Sequence, residues 1–250
     1  MLLLGDSIEA HGTGYSDDVR AALQPKLAAV ASPRMYPQGG DFCGTSFGVV
    51  GCLSHFTGGE LWDVIHFNWG LHDMCPLVPS AAAAGDAESS LGRYAPISEK
   101  MYLENMERLY QQLKSALTPR GTLIWRTTTP VPVTYKSRNN SDVVRVNALA
   151  ATLFGPHGKH PEVVVHDMYS EVVAHCRAEY PVQAKGYPQT AACPLQPNGV
   201  HFGFEGEDSA GKQLTANLTL AAIQPHLHST GERGQPQHDD ADEVEKTVGQ

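Results

Sequence analysis

Apolar residues in this chain gather into short runs separated by longer stretches of helical period. Met1-Leu2-Leu3-Leu4 and the segment Trp62 to Asn68 are the plainest runs. Read with their flanks, such runs predict buried strands at 1–4, around 33–36, and at 62–68, 122–127 and 162–166. The stretches between predict helices at about 17–31, 45–56, 98–117, 141–154, 168–180 and 205–228. The helix over 98–117 is clearest, because Met101, Met106, Leu109, Leu113 and Leu117 keep close to a 3.6-residue period. Pro119-Arg120-Gly121 is its expected stop. Strands alternating with helices predict a parallel sheet covered on both faces, an α/β chain. Segment 76–97, with Ala81 to Gly85 and two prolines, reads as a long loop, either a roof over a neighbouring site or a mobile excursion. One domain is expected over 1–228, followed at 229–250 by a polar, acidic tail with no apolar period, expected to be disordered.

Chemistry enters where the runs end. The first breaks on Gly5-Asp6-Ser7, and ligands of open α/β sheets bind beyond the carboxyl ends of the strands. Ser7 is therefore a candidate nucleophile, with helix capping by Asp6 or Ser7 as the competing explanation. A second run ends on Asn68-Trp69-Gly70-Leu71-His72-Asp73, a glycine among hydrogen-bonding side chains. Far downstream, Pro197-Asn198-Gly199-Val200-His201-Phe202 sets a histidine in a turn before the last predicted helix.

Together these segments resemble the SGNH (GDSL) hydrolase superfamily, over Met1 to about His228. The resemblance implies a three-layer α/β/α sandwich, flavodoxin-like, with Ser7 as nucleophile and His201 as base. It also implies an oxyanion hole made of the Ser7 backbone N–H, a glycine of a second block and a side chain of a third. Gly44 is favoured for the second block because it precedes a helix start, with Gly39 and Gly40 as alternatives. In the third block the family's GxND stands here as Gly70-Leu71-His72-Asp73, so His72 occupies the asparagine's place. A histidine donates to an oxyanion only in the right tautomer or when protonated. In the fourth block Asn198 replaces the family's aspartate, three residues before His201.

That last departure matters, because an aspartate fixes the tautomer of the base and stabilises its cation. In a serine protease its change to asparagine lowers turnover roughly 10⁴-fold. Three readings stay open. Ser7 and His201 work as a dyad oriented by Asn198 or a backbone carbonyl; another carboxylate substitutes, with Asp167 first in line unless it caps the helix from Met168; or catalysis is lost and the chain binds a ligand or carbohydrate. Asp6, Asn68 and Asp73 complete the candidate residues. The expected reaction is hydrolysis of a carboxylic ester through an acyl-enzyme, with removal of an acetyl group from a carbohydrate as the favoured substrate class. Hydroxyls of Thr127, Thr128 and Thr129 are expected to line the substrate pocket, and Arg126 and Arg138 either meet an acidic substrate or are solvated.

Competing chemistry is weaker. Gly44-Thr45-Ser46-Phe47-Gly48 matches the nucleophile elbow G-x-S-x-G, but the elbow needs a strand before it and residues 37–43 read as loop. Twelve histidines invite a metal, yet no zinc-ligand spacing occurs, and Gly12-Thr13-Gly14 lacks the third glycine of a dinucleotide fingerprint. No cofactor is expected. A net charge of −9 without basic clusters argues against nucleic acid, and no apolar run reaches a membrane span. The expected partner is a small-molecule or carbohydrate ester. Five cysteines leave the compartment open. Their odd number argues for reduced thiols, while sequons at Asn139 and Asn217 and a Cys176–Cys193 bridge around an insertion would fit export, towards which the reading leans with a leader missing.

Overall fold

The computed structural model describes residues 1–9, 14–33, 43–73, 97–132, 138–179, 194–196, 199–203 and 209–227. The apolar runs become β1 (Leu2–Leu4), β2 (Trp62–Phe67), β3 (Leu117–Arg126) and β4 (Val164–His166). Between and after them lie α1 (Ser16–Leu23), α2 (Ser46–Thr57), α3 (Glu99–Ser115), α4 (Asn140–Ala151), α5 (Met168–Glu179) and α6 (Ala210–Ile223). The strands pair in parallel in the order β1-β2-β3-β4. On the free side of β1, Ala31 bridges Leu2, its carbonyl accepting from Leu3 N at 2.9 Å. Counting that bridge as a strand position, the order is the flavodoxin-like 2-1-3-4-5.

Register sorts the side chains into two faces, since paired residues share a face and alternate residues change it. Phe67 and Trp125 point to the layer of α2, α3 and α4, where both rings pack on Phe154 just after α4. His66, Arg126 and His166 point the other way, towards α1, α5 and α6. Helices on both faces make the three-layer sandwich expected from the β/α alternation.

Local chemistry explains where elements start and stop. Thr45, Ser98, Asn139 and Ser209 each cap a helix by accepting a backbone N–H with the side chain. The first helix is shorter than the 17–31 expected, ending at Leu23 ahead of Pro25, which cannot donate to a preceding turn. Pro119-Arg120-Gly121 does not follow a helix that reaches Leu117; it lies inside β3. Trp62 pairs with Leu117 and Val64 with Thr122, so residues 118–121 are bulged out of the ladder, where a proline's missing N–H costs nothing. The last helix begins at Ala210 rather than 205, behind the Ser209 cap.

Beneath β1 the α1/α5/α6 face holds buried charge. Glu9 is hydrogen-bonded to His66 Nδ1 at 2.5 Å and accepts from Arg126 Nε at 3.3 Å. His66 Nε2 meets His166 Nδ1 at 3.0 Å, and His166 Nε2 meets Glu171 at 3.0 Å. Glu9, His66 and Arg126 have no exposed surface. Partners on β2 and β3 thus meet a residue two places after Ser7, and β4 and α5 join them through His66 and His166.

Candidate active site

Ser7 stands at the carboxyl end of β1 in a tight turn. Asp6 Oδ1 accepts from Ile8 N at 3.0 Å and the Asp6 carbonyl from Glu9 N at 3.1 Å. Asp6 therefore closes this turn and caps no long helix, since α1 starts only at Ser16. His201 Nε2 lies 2.9 Å from Ser7 Oγ. The His201 loop follows Gly199, whose φ of 75° favours a residue without Cβ. Gln196 Nε2 ties that loop to the end of β3, donating to Pro130 O at 2.9 Å and Val200 O at 3.3 Å. Asn198 lies outside the described residues. Asp167 Oδ1 accepts from Ser170 N and from Thr127 Oγ1, both at 3.2 Å, the work of a cap for α5.

The segments carrying Gly44 and His72 are tied together by one carboxylate. Asp73 accepts from Ser46 N at 2.9 and 3.1 Å and from Ser46 Oγ at 2.8 Å. Behind them Trp69 Nε1 donates to Cys43 O at 2.9 Å, Asn105 Nδ2 to Ser46 Oγ at 3.3 Å, and a Cys43–Cys52 disulfide joins the segment to α2. Gly70 has no room for a side chain, because a Cβ would fall 2.5 Å from Thr128 Oγ1 and 2.8 Å from Val146 Cγ1. Burial pushes Asp73 up to about 7. His72 is pushed down to about 4, first by burial, then by the cations of Arg138 and His201, against the pull of Asp6. Its Nδ1 faces Arg138 Nη2 at 3.1 Å, while Arg138 Nε donates to Leu71 O at 2.8 Å.

Other candidates take scaffold positions. Asn68 Nδ2 clamps β2 to β3, donating to Arg126 O at 2.7 Å and Thr128 Oγ1 at 3.2 Å. Arg126, expected near substrate or solvated, is instead wholly buried against Glu9. All three threonines at 127–129 are buried, and the Thr127 and Thr128 hydroxyls hold Asp167 and Asn68. Ser46 is buried at the start of α2, and the described residues directly before it, 43–45, form no strand of the kind an elbow nucleophile needs. Of the two cysteine states left open, reduced thiols do not hold for three of the five: Cys43 pairs with Cys52 and Cys176 is disulfide-bonded, while Cys193, the partner suggested for it, lies outside the described residues. The expected loop over 76–97 is outside them for all but Ile97, and the acidic tail entirely.

Two features escaped the sequence reading. The Glu9, His66, Arg126 and His166 cluster was hidden because each residue lies inside or beside an apolar run with no spacing signal. Arg138 was seen only as a nearby positive charge, and nothing in the sequence links it to His72. Among the described residues, no His, Cys, Asp and Glu side chains gather in threes or more as a metal cage, and no helix is long and apolar enough to cross a membrane.

Comparison with known proteins gives likeness in structure alone. No family model and no curated sequence matches this chain. An acetyl xylan esterase, AlAXEase, superposes with a TM-score of 0.57 at 12% identity, covering 89% of this chain and 100% of that one. LAE5, described as an alpha/beta hydrolase enzyme from the metagenome of Lake Arreo, Spain, gives 0.56 at 14% identity, over 91% of this chain and 95% of its own. Axe2 from Geobacillus stearothermophilus, an acetyl-xylooligosaccharide esterase seen as a point mutant, gives 0.55 at 12%, over 89% and 92%. The chain has the three-layer fold of these proteins.

Proposed function

We propose that this chain is a serine esterase that hydrolyses carboxylic esters through an acyl-enzyme, with acetylated carbohydrate as its substrate class. The observation that carries the reading is the 2.9 Å hydrogen bond between Ser7 Oγ and His201 Nε2 at the carboxyl edge of a parallel sheet. His201 takes the Ser7 proton as Oγ attacks the ester carbonyl. The oxyanion is held by the backbone N–H groups of Ser7 and Gly44 and by the His72 side chain. His201 then gives its proton to the departing alcohol, and water, deprotonated by the same ring, releases the acid and restores Ser7. With Nε2 turned to the nucleophile, His201 Nδ1 is the atom an orienter must hold, and Asn198 is assigned to it by its place three residues earlier.

The neighbours support the substrate class. Two are acetyl xylan esterases, and other Axe2 structures are described as catalytic mutants in which a serine or a histidine is replaced by alanine. The test is labelling with a fluorophosphonate, read by intact mass, followed by assay on acetylated xylooligosaccharides and on p-nitrophenyl esters of rising chain length. One adduct, absent in Ser7→Ala, with turnover falling beyond acetate, is expected. An unlabelled protein beside a labelled control hydrolase refutes the acyl-enzyme.

A further inference from the structure

We propose that Arg138 is a positioning residue for the oxyanion hole: it donates to His72 Nδ1 and so leaves Nε2 as the protonated nitrogen that stabilises the tetrahedral intermediate. This rests on the esterase reading above and adds to it the reason a histidine can stand where that fold family uses an asparagine.

An asparagine amide always offers N–H donors, but a neutral imidazole offers one, on either nitrogen. A guanidinium has donors only and keeps its proton at any relevant pH. With Arg138 Nη2 at 3.1 Å from His72 Nδ1, that nitrogen must present its lone pair, and the ring's proton resides on Nε2. The second contact, from Arg138 Nε to Leu71 O at 2.8 Å, makes the guanidinium a two-point clamp on consecutive residues of the turn after β2. The clamp is held from behind, since Arg138 immediately precedes Asn139, the cap of α4. A cation at Nδ1 also opposes a second proton on the ring, and burial acts in the same direction, so His72 serves as a neutral donor. A neutral donor stabilises the oxyanion without placing a fixed positive charge beside His201, which must itself become cationic during the reaction.

Arg138 has two separable effects, and a double-mutant cycle divides them. Setting the tautomer matters only while residue 72 is a histidine. Anchoring Leu71 matters whatever residue 72 is. Arg138→Met keeps the aliphatic stem and removes the donors. In the wild-type background it is expected to lower kcat about tenfold, part of the roughly 10²–10³ an oxyanion donor is worth, with KM changed less. In the His72→Asn background, where there is no tautomer to set, most of that loss should vanish. An equal loss in both backgrounds, or none in either, overturns the proposal.

The tautomer is read directly by ¹⁵N NMR of the imidazole in the unaltered protein, so the outcome does not depend on the variant folding. Protonated Nε2 with a bare Nδ1 is expected for His72; a proton on Nδ1 alone refutes the assignment. Fluorophosphonate labelling of the same samples separates the two failures. If Ser7 is labelled and the cycle is additive, only the role of Arg138 falls. If Ser7 is not labelled, the esterase reading falls, and the role of Arg138 in catalysis falls with it.

Discussion

His72 shows what one residue carries. As an oxyanion donor its loss in His72→Ala should cost roughly 10²–10³ in kcat, with intact acyl-enzyme chemistry at Ser7; unchanged steady-state turnover would remove it from the site. Its titration gives an independent prediction. Held near 4 in the fold against 6.5 ordinarily, His72 binds fewer protons folded than unfolded between those pH values. Stability from this group is therefore complete above pH 6.5 and is lost as pH falls to 4, by about 3 kcal/mol in total. Asp73 works oppositely, since a carboxyl raised to about 7 loses stability as pH rises from 4 to 7. The whole protein's curve mixes the two, but a difference curve isolates one. Urea unfolding of His72→Asn and the parent at pH 7 and pH 4 should show the variant gaining, relative to the parent, as pH is lowered; parallel curves would refute the buried neutral ring.

At the scale of elements, the nucleophile turn is braced by charge as well as by strand pairing. Replacing Glu9 by Gln or Leu leaves Arg126 buried beside neutral groups, a loss on the order of 3–5 kcal/mol when one partner of a buried pair is removed. Thermal or urea unfolding measures it, and a loss under 1 kcal/mol would mean the pair is solvated on demand. These braces were the least legible part of the sequence. Hydrophobic runs and caps placed most elements within a few residues, because burial and capping are local properties of the chain. The shortened α1, the bulge at 118–121 and the single bridge at Ala31 depend on what a neighbouring strand offers, which no local window contains. Likewise the Cys43–Cys52 pair was not singled out, since nothing in the sequence shows that α2 turns one back to the other. Ser7 and His201 were legible because each sits at a break between an apolar run and a turn; Arg138 was not, because its partner is on another loop.

Across the whole molecule, the parallel sheet collects loops from distant parts of the chain at one edge. Ser7, Gly44, His72 and His201 follow different elements, yet each lies on a segment at that edge or is tied to one that does. The same topology gives the two GxS-type serines opposite jobs. Ser7 is bonded to a histidine, whereas Ser46 is sealed between Asp73 and Asn105. Ser7→Ala should therefore abolish fluorophosphonate labelling and leave the melting temperature nearly unchanged. Ser46→Ala should keep the label but lose about 1–3 kcal/mol, because it strips a hydroxyl from a buried carboxylate and a buried amide. Retained labelling in Ser7→Ala together with its loss in Ser46→Ala would exchange the roles and undo the site. The crossed pattern expected here, chemistry lost without stability in one variant and stability lost without chemistry in the other, is what a catalytic loop mounted on a rigid sheet edge requires.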